Sequence, residues 1–215
     1  MKKYIFSTIL IVFISTLRLV SQDTLWLMNG KKILVTGYQL IPAITNEAPV
    51  LEYINLKGRH HRIDADEAFK IDSAGTEIFY YHLNYNEPIT ESLDQVRSYV
   101  LGQITVRNKE KPRWIFGAGV AIGFGSAFIA PASISIQAFE NLMYAPLIPG
   151  GYAILMNTLN PKEEKIKKQY PQYANDEFFI NGYQDGLKRK RGRNAIIGAG
   201  IGLLAGLTFV AVTEY

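Results

Sequence analysis

Three long stretches of this chain carry no charged side chain, and they leave it few ways to fold. Trp114 to Phe139 is 26 residues without Asp, Glu, Lys or Arg, Asn141 to Leu159 a further 19, and Asn194 to Thr213 a further 20. A soluble helix of such length shows a polar face, and none of these does. A stretch of about 20 apolar residues is long enough to cross a hydrocarbon layer about 30 Å thick. The spacing predicts an α+β membrane protein: a small antiparallel β-sheet or half-open barrel, then an amphipathic helix and two or three glycine-rich transmembrane helices.

The last stretch, within "RGRNAIIGAGIGLLAGLTFVAV", needs one alternative removed. Gly200, Gly202 and Ala205 satisfy G-x-G-x-x-[GA], but a dinucleotide loop follows a buried strand. Here the basic run "LKRKRGRN" precedes it. Gly198, Gly202 and Gly206 are instead spaced by four, so they stack on one helix face. Gly119 and Gly123 repeat the device in the first stretch, with Ala121 and Gly125 on a neighbouring row. Such faces let helix backbones approach closely in lipid. They point to a homo-oligomer, or to packing against another membrane protein. Arg113 and Trp114 flank the first stretch and Arg191 and Arg193 the last, where membrane-interface anchors belong.

An internal echo connects the two. "YVLGQITVRNKEKPRWIFGAG" and "FINGYQDGLKRKRGRNAIIGAG" share an aromatic residue, a glycine three positions on, a basic helix and a GAG-bearing apolar span. Equivalent elements place both basic helices on one side, which makes 113–159 a two-span hairpin and gives three crossings. Against this, 160–193 holds nine Lys/Arg and five Asp/Glu. The positive-inside rule would put it in the cytoplasm, with two crossings and a re-entrant 141–159. The hairpin is favoured, because Pro146-x-x-Pro149-Gly-Gly would otherwise interrupt an apolar run of spanning length to no purpose.

The front of the chain reads differently. Residues 1–22 have the charged start and apolar middle of a signal peptide, which places the module directly after it in the periplasm. Residues 23–88 form this exported β module of about five short strands, turning at Asn29-Gly30, Lys57-Gly58 and Ala74-Gly75. From Ser92 and Gln95, in capping-box spacing, an amphipathic helix within 89–112 carries Leu93, Val96, Val100 and Ile104 on one stripe. Pro112 ends it. A basic polar helical segment, 160–193, leads to the final span, 194–213.

Catalysis finds little support. The chain has no cysteine, and its net charge of +4 comes without a long basic tract, so nucleic acid is not an expected partner. His60 and His61 are neighbours on an expected strand and point to opposite faces. With His82, Asp64 and Asp66 they are the only material for a metal or acid–base site. No ligand spacing of a known type is met, and no cofactor is implied. A pore or transport accessory is a second possibility, weakened because no ionisable residue lies deep in a span; Glu140, at an expected turn, is the only candidate.

"DTLWLMNGKKI", "RIDADEAFKIDSAGTEIF", "YVLGQ", "PLIPGGYA" and the final glycine-rich run together resemble a group of uncharacterised Gram-negative bacterial envelope proteins. Their pattern is a signal peptide, a D-x-[IL]-x-[LF]-x-N-G sheet module and glycine-rich transmembrane helices. "QITV" after "YVLG" departs from it. The resemblance implies an envelope membrane location and no established enzymatic activity. The function expected is therefore non-enzymatic, with lipid around the glycine-faced helices and the β module displayed for protein or envelope binding.

Overall fold

Alternating apolar residues make the front of the chain a sheet, and apolar blocks without alternation make its back helical. The computed structural model describes residues 22–42, 49–80, 92–128 and 146–213. The expected signal peptide, His82 and Glu140 lie outside the described residues. The chain divides into two units, Met1–Ile89 and Thr90–Tyr215.

The first unit is one antiparallel sheet of six strands. They are β1 (Asp23–Leu27), β2 (Lys32–Ile41), β3 (Val50–Asn55), β4 (His60–Asp64), β5 (Ala68–Ser73) and β6 (Thr76–Phe79). Their spatial order is β4-β3-β2-β1-β5-β6, so β1 is central and β5 returns to its free edge. Leu25, Leu27, Val35, Leu51 and Ile71 share the buried face with Tyr53 and Tyr80. On the opposite face the Trp26 indole Nε1 donates to Asp72 Oδ2 at 2.6 Å, and Lys32 lies over its ring.

Glycine sets the turns. Gly30 and Gly58 each close a short connection at φ near +70°, a conformation that costs glycine nothing. In both, an asparagine side chain accepts from the backbone of the turn, Asn29 Oδ1 from Lys31 and Asn55 Oδ1 from Lys57. The Ala74-Gly75 turn has only two residues, and Ala74 also takes positive φ.

The second unit is helical. Its elements are α1 (Leu93–Lys109), α2 (Arg113–Ala127), α3 (Leu147–Thr158), α4 (Glu163–Gln169), a 3₁₀ turn (Pro171–Tyr173) and α5 (Glu177–Thr213). Ser92 and Gln95 form the capping box that starts α1. The buried stripe of α1 differs from the expected one: Val96 and Val100 are on it, but Gly102, Gln103 and Val106 complete it, and Ile104 is only partly buried. The glycine admits a closer neighbour than isoleucine would.

α5 is the spine. Its 37 residues run unbroken through the boundary expected at 193/194, so the second half of the basic segment, 177–193, and the apolar span are one helix, while the first half forms α4 and the 3₁₀ turn. At 1.5 Å per residue it is about 55 Å long. Among the described residues it is the one helix long and apolar enough to cross a membrane. α1 and α2 both run parallel to it. As their residue numbers rise from Gly102 to Gly119 to Gly123, the α5 residues they meet rise from Phe179 to Ala195 to Ala199. α3 runs the other way: Ala153 and Met156 cluster with Ala195, Asn157 lies against Gly192, and Leu159 O accepts from Arg191.

Candidate functional site

The contact between α5 and the α1–α2 pair is built from glycine on both sides. A Cβ on Gly119 would lie 2.9 Å from Ala195 O and 3.0 Å from Ala199 N, and one on Gly123 would strike Ala199 O. In return, a Cβ on Gly198 would strike Phe116 O, one on Gly202 would strike Val120 O, and one on Gly206 would lie 2.7 Å from Phe124 O. Real Cβ atoms do not come that close to backbone, so only glycine permits this spacing. All five glycines named from spacing face this seam. Gly117, Gly125 and Gly200 face open space, and Ala121 is exposed. The neighbouring row that the spacing suggested in α2 is therefore not a contact.

The seam continues above Pro112. Gly102 fits between Phe179 and Tyr183, and Gly182 fits against Tyr99. Tyr99 with Gly102 and Phe179 with Gly182 are the matching positions of the internal echo, so its two copies lie side by side. The contact is reciprocal and pseudo-twofold, as in a parallel homodimer of one helix, but made within one chain. The glycine faces are thus already occupied without a second copy, and backbone contact between them leaves no conduit there.

What surrounds the seam changes along its length. Above Pro112 the inside holds Val106, Ile166, Tyr170, Phe179, Tyr183 and Leu187. Polar bonds cross it: Tyr99 Oη donates to Asp185 Oδ2 at 3.0 Å and accepts from Gln103 Nε2 at 3.0 Å. Tyr183 Oη donates to Glu110 Oε1 at 2.6 Å. Burial, followed by that bond to the carboxylate, pushes the Tyr183 hydroxyl far above its ordinary value. Burial also raises Tyr99 and Tyr170, each with help from a nearby carboxylate. The break between α1 and α2 is closed from α5. Lys190 Nζ donates to Val106 O and Arg107 O, and Asn194 Nδ2 donates to Pro112 O. Burial first, then the neighbouring Arg107 and Arg193, lowers the Lys190 ammonium.

Below Pro112 the order largely inverts. The seam itself is Gly119, Gly123, Ala195, Ala199, Gly198 and Gly202, with Ile115 and Met156 buried beside its upper end, and most of the outside is large and apolar. Trp114 is 66% exposed, Ile154 67%, Leu204 67% and Val212 77%. Arg113 and Arg193 are exposed and Arg191 is partly buried, all at the level where the uncharged stretches begin.

In the first unit, His60 and His61 pair with Ile54 and Tyr53 across the β3–β4 ladder, so they occupy opposite faces. His61 stacks on Tyr53 with centroids 5.3 Å apart and its Nε2 is 2.9 Å from Asn55 Nδ2. Asp64 and Asp66 are exposed. Among the described residues no three His, Asp or Glu are placed to share a metal. No family model, curated protein or solved structure matches the chain.

Proposed function

We propose that the chain is a non-enzymatic membrane protein of the cell envelope, with its helical unit in lipid and its β unit displayed in the periplasm for protein or envelope binding. One observation carries this: below Pro112 the helix seam is lined by small residues, and apart from Ile115 and Met156 most of the large apolar side chains face outward. In water that arrangement forfeits about 25 cal/mol for each Å² of apolar surface left exposed. In lipid it forfeits nothing, and close backbone approach becomes the source of packing.

The helix directions support three crossings. Two parallel spans, α2 and α5, require a return between them, and α3 is antiparallel to both. The bond from Gln169 Nε2 to Glu110 Oε1 at 3.3 Å ties the 160–193 segment to the end of α1, which favours one side for both. With the glycine faces filled internally, assembly with a second copy or another membrane protein would use the outward Ile, Leu and Phe side chains. Membership of the uncharacterised envelope family rests on motif order.

The test is flotation of the full chain with neutral vesicles after an alkaline carbonate wash, together with protease access to a tag beside Gln169. The chain is expected to float, and the tag to share the accessibility of the β unit. A monodisperse, detergent-free soluble protein would overturn the membrane placement. A tag on the opposite side would overturn the three crossings alone.

A further inference from the structure

A cleft of about 430 Å³ opens where α1 gives way to α2, lined by Lys111, Trp114, Lys162, Lys165 and Arg191 with Glu110. Its cations converge from three separated segments: the α1–α2 link, α4 with the residue before it, and the middle of α5. Four positive side chains meet one carboxylate, and that carboxylate already accepts from Tyr183 and Gln169. Elsewhere in this unit lysines find acids, as Lys167 does with Glu163 at 3.5 Å and Lys188 with Asp185 at 3.6 Å. Among the described residues Lys111, Lys162 and Lys165 have no such partner. Ile166 and Leu187 add apolar wall beside them.

We propose that this cleft binds the phosphate headgroup of an anionic phospholipid. The inference rests on the membrane placement proposed above. A free phosphate ion would use the cations alone. A lipid also uses Trp114, which is mostly exposed and stands at the first residue of the uncharged stretch. Its phosphate meets the lysines while its acyl chains run down the outward apolar faces of α2 and α3. Basic pockets between spanning helices hold such headgroups by this combination of charge and depth.

Trp114 also reports the result, because the chain has only two tryptophans. Trp26→Phe keeps a ring over Lys32 and leaves Trp114 as the sole tryptophan, excited selectively at the red edge where tyrosine does not absorb. This full-length variant is reconstituted into bilayers holding either brominated phosphatidylcholine or brominated phosphatidylglycerol at equal mole fraction. The anionic lipid is expected to quench more strongly. The preference should fall by about fivefold for each lysine lost in Lys162→Gln and Lys165→Gln. Lys167→Gln with Lys168→Gln, on the same short helix but outside the cleft, should leave it unchanged.

Equal quenching by the two lipids would overturn the headgroup site alone, whereas no quenching by either would overturn it together with the membrane placement. An equal fall in the Lys167/Lys168 variant would reduce the effect to diffuse surface charge and overturn the site. Loss of the preference on adding millimolar inorganic phosphate would identify a free anion as the occupant and overturn the lipid.

Discussion

The upper and lower halves of the helix pair solve one packing problem with opposite wrappings. Both set the distance between parallel helices by glycine against backbone, with the pairing shifted by one residue between the halves. Above Pro112 the pair is wrapped inward by Phe179, Val106 and Tyr183 and outward by charge. Below it the wrapping is reversed. Glycine contact therefore fixes how close two helices come, and the residues around it report the solvent. A glycine-spaced face by itself says nothing about whether water or lipid lies outside.

The largest expected effect comes from breaking the lower seam. Gly202→Leu must push α2 away from α5, since even a Cβ there meets Val120 O and Phe124 N. Overpacking of this kind costs up to about 3 kcal/mol, and here the obstacle is backbone, which cannot rotate aside. Detergent-titrated unfolding of the reconstituted protein should show a loss of that size, with the Tyr99–Asp185 region unaffected. An unchanged midpoint would mean that the two halves are not packed at this register.

A smaller effect separates the upper half. Tyr99→Phe removes both the donor to Asp185 and the acceptor for Gln103, whose side chain is only 3% exposed. Leaving a buried amide unpaired costs about 1–3 kcal/mol. The same unfolding measurement should give a loss within that range, and Gln103→Leu in the Tyr99→Phe background should recover part of it. Among the described residues the lower half has no comparable polar pair between α2 and α5 to lose.

Alkali should sharpen the contrast further. Tyr99, Tyr170 and Tyr183 are acids whose folded values are raised above 10.0. Their stabilisation is complete below pH 10 and is lost as the pH climbs through the raised values. Lys190 acts oppositely: its folded value is lowered below 10.5, so folding gains as the pH rises through that window. Three tyrosines outweigh one lysine. Helicity measured by circular dichroism should fall above pH 10 together with tyrosinate absorbance, and Tyr183→Phe should move the onset to higher pH. An onset that ignores Tyr183→Phe would place the alkaline sensitivity elsewhere.

Much of this architecture is legible in the residues, within definite limits. Asn29-Gly30, Lys57-Gly58 and Ala74-Gly75 mark the sheet's turns because only a few residue types accept positive φ. Four-residue glycine spacing marks a helix face but not its occupant, since spacing is a property of one helix and contact of two. The echo holds that missing information: two copies able to pair with each other in one chain. The charge boundary at Arg193 reads as the start of a separate helix, yet a change in side-chain charge does not interrupt backbone hydrogen bonding and α5 does not break there. The cleft leaves little trace in the sequence because Lys111, Lys162 and Arg191 are far apart along the chain. Pro112 and Pro161, each beside a lysine at the end of an apolar or helical run, are its only local signals.

The smallest expected effect is the most discriminating for register. Gly200 lies on α5 between Gly198 and Gly202, but a Cβ built on it meets nothing within 4 Å, while its two neighbours strike the backbone of α2. Gly200→Ala should change stability by no more than about 0.5 kcal/mol, as surface substitutions do. The greater helix propensity of alanine favours a slight gain. Gly198→Ala should instead cost about 1–3 kcal/mol, because Phe116 O must move. Both add one methyl to the same helix, so propensity largely cancels between them. What remains is the direction each glycine faces. Equal costs for the two would rotate α5 about its axis and remove the seam from both halves of the pair.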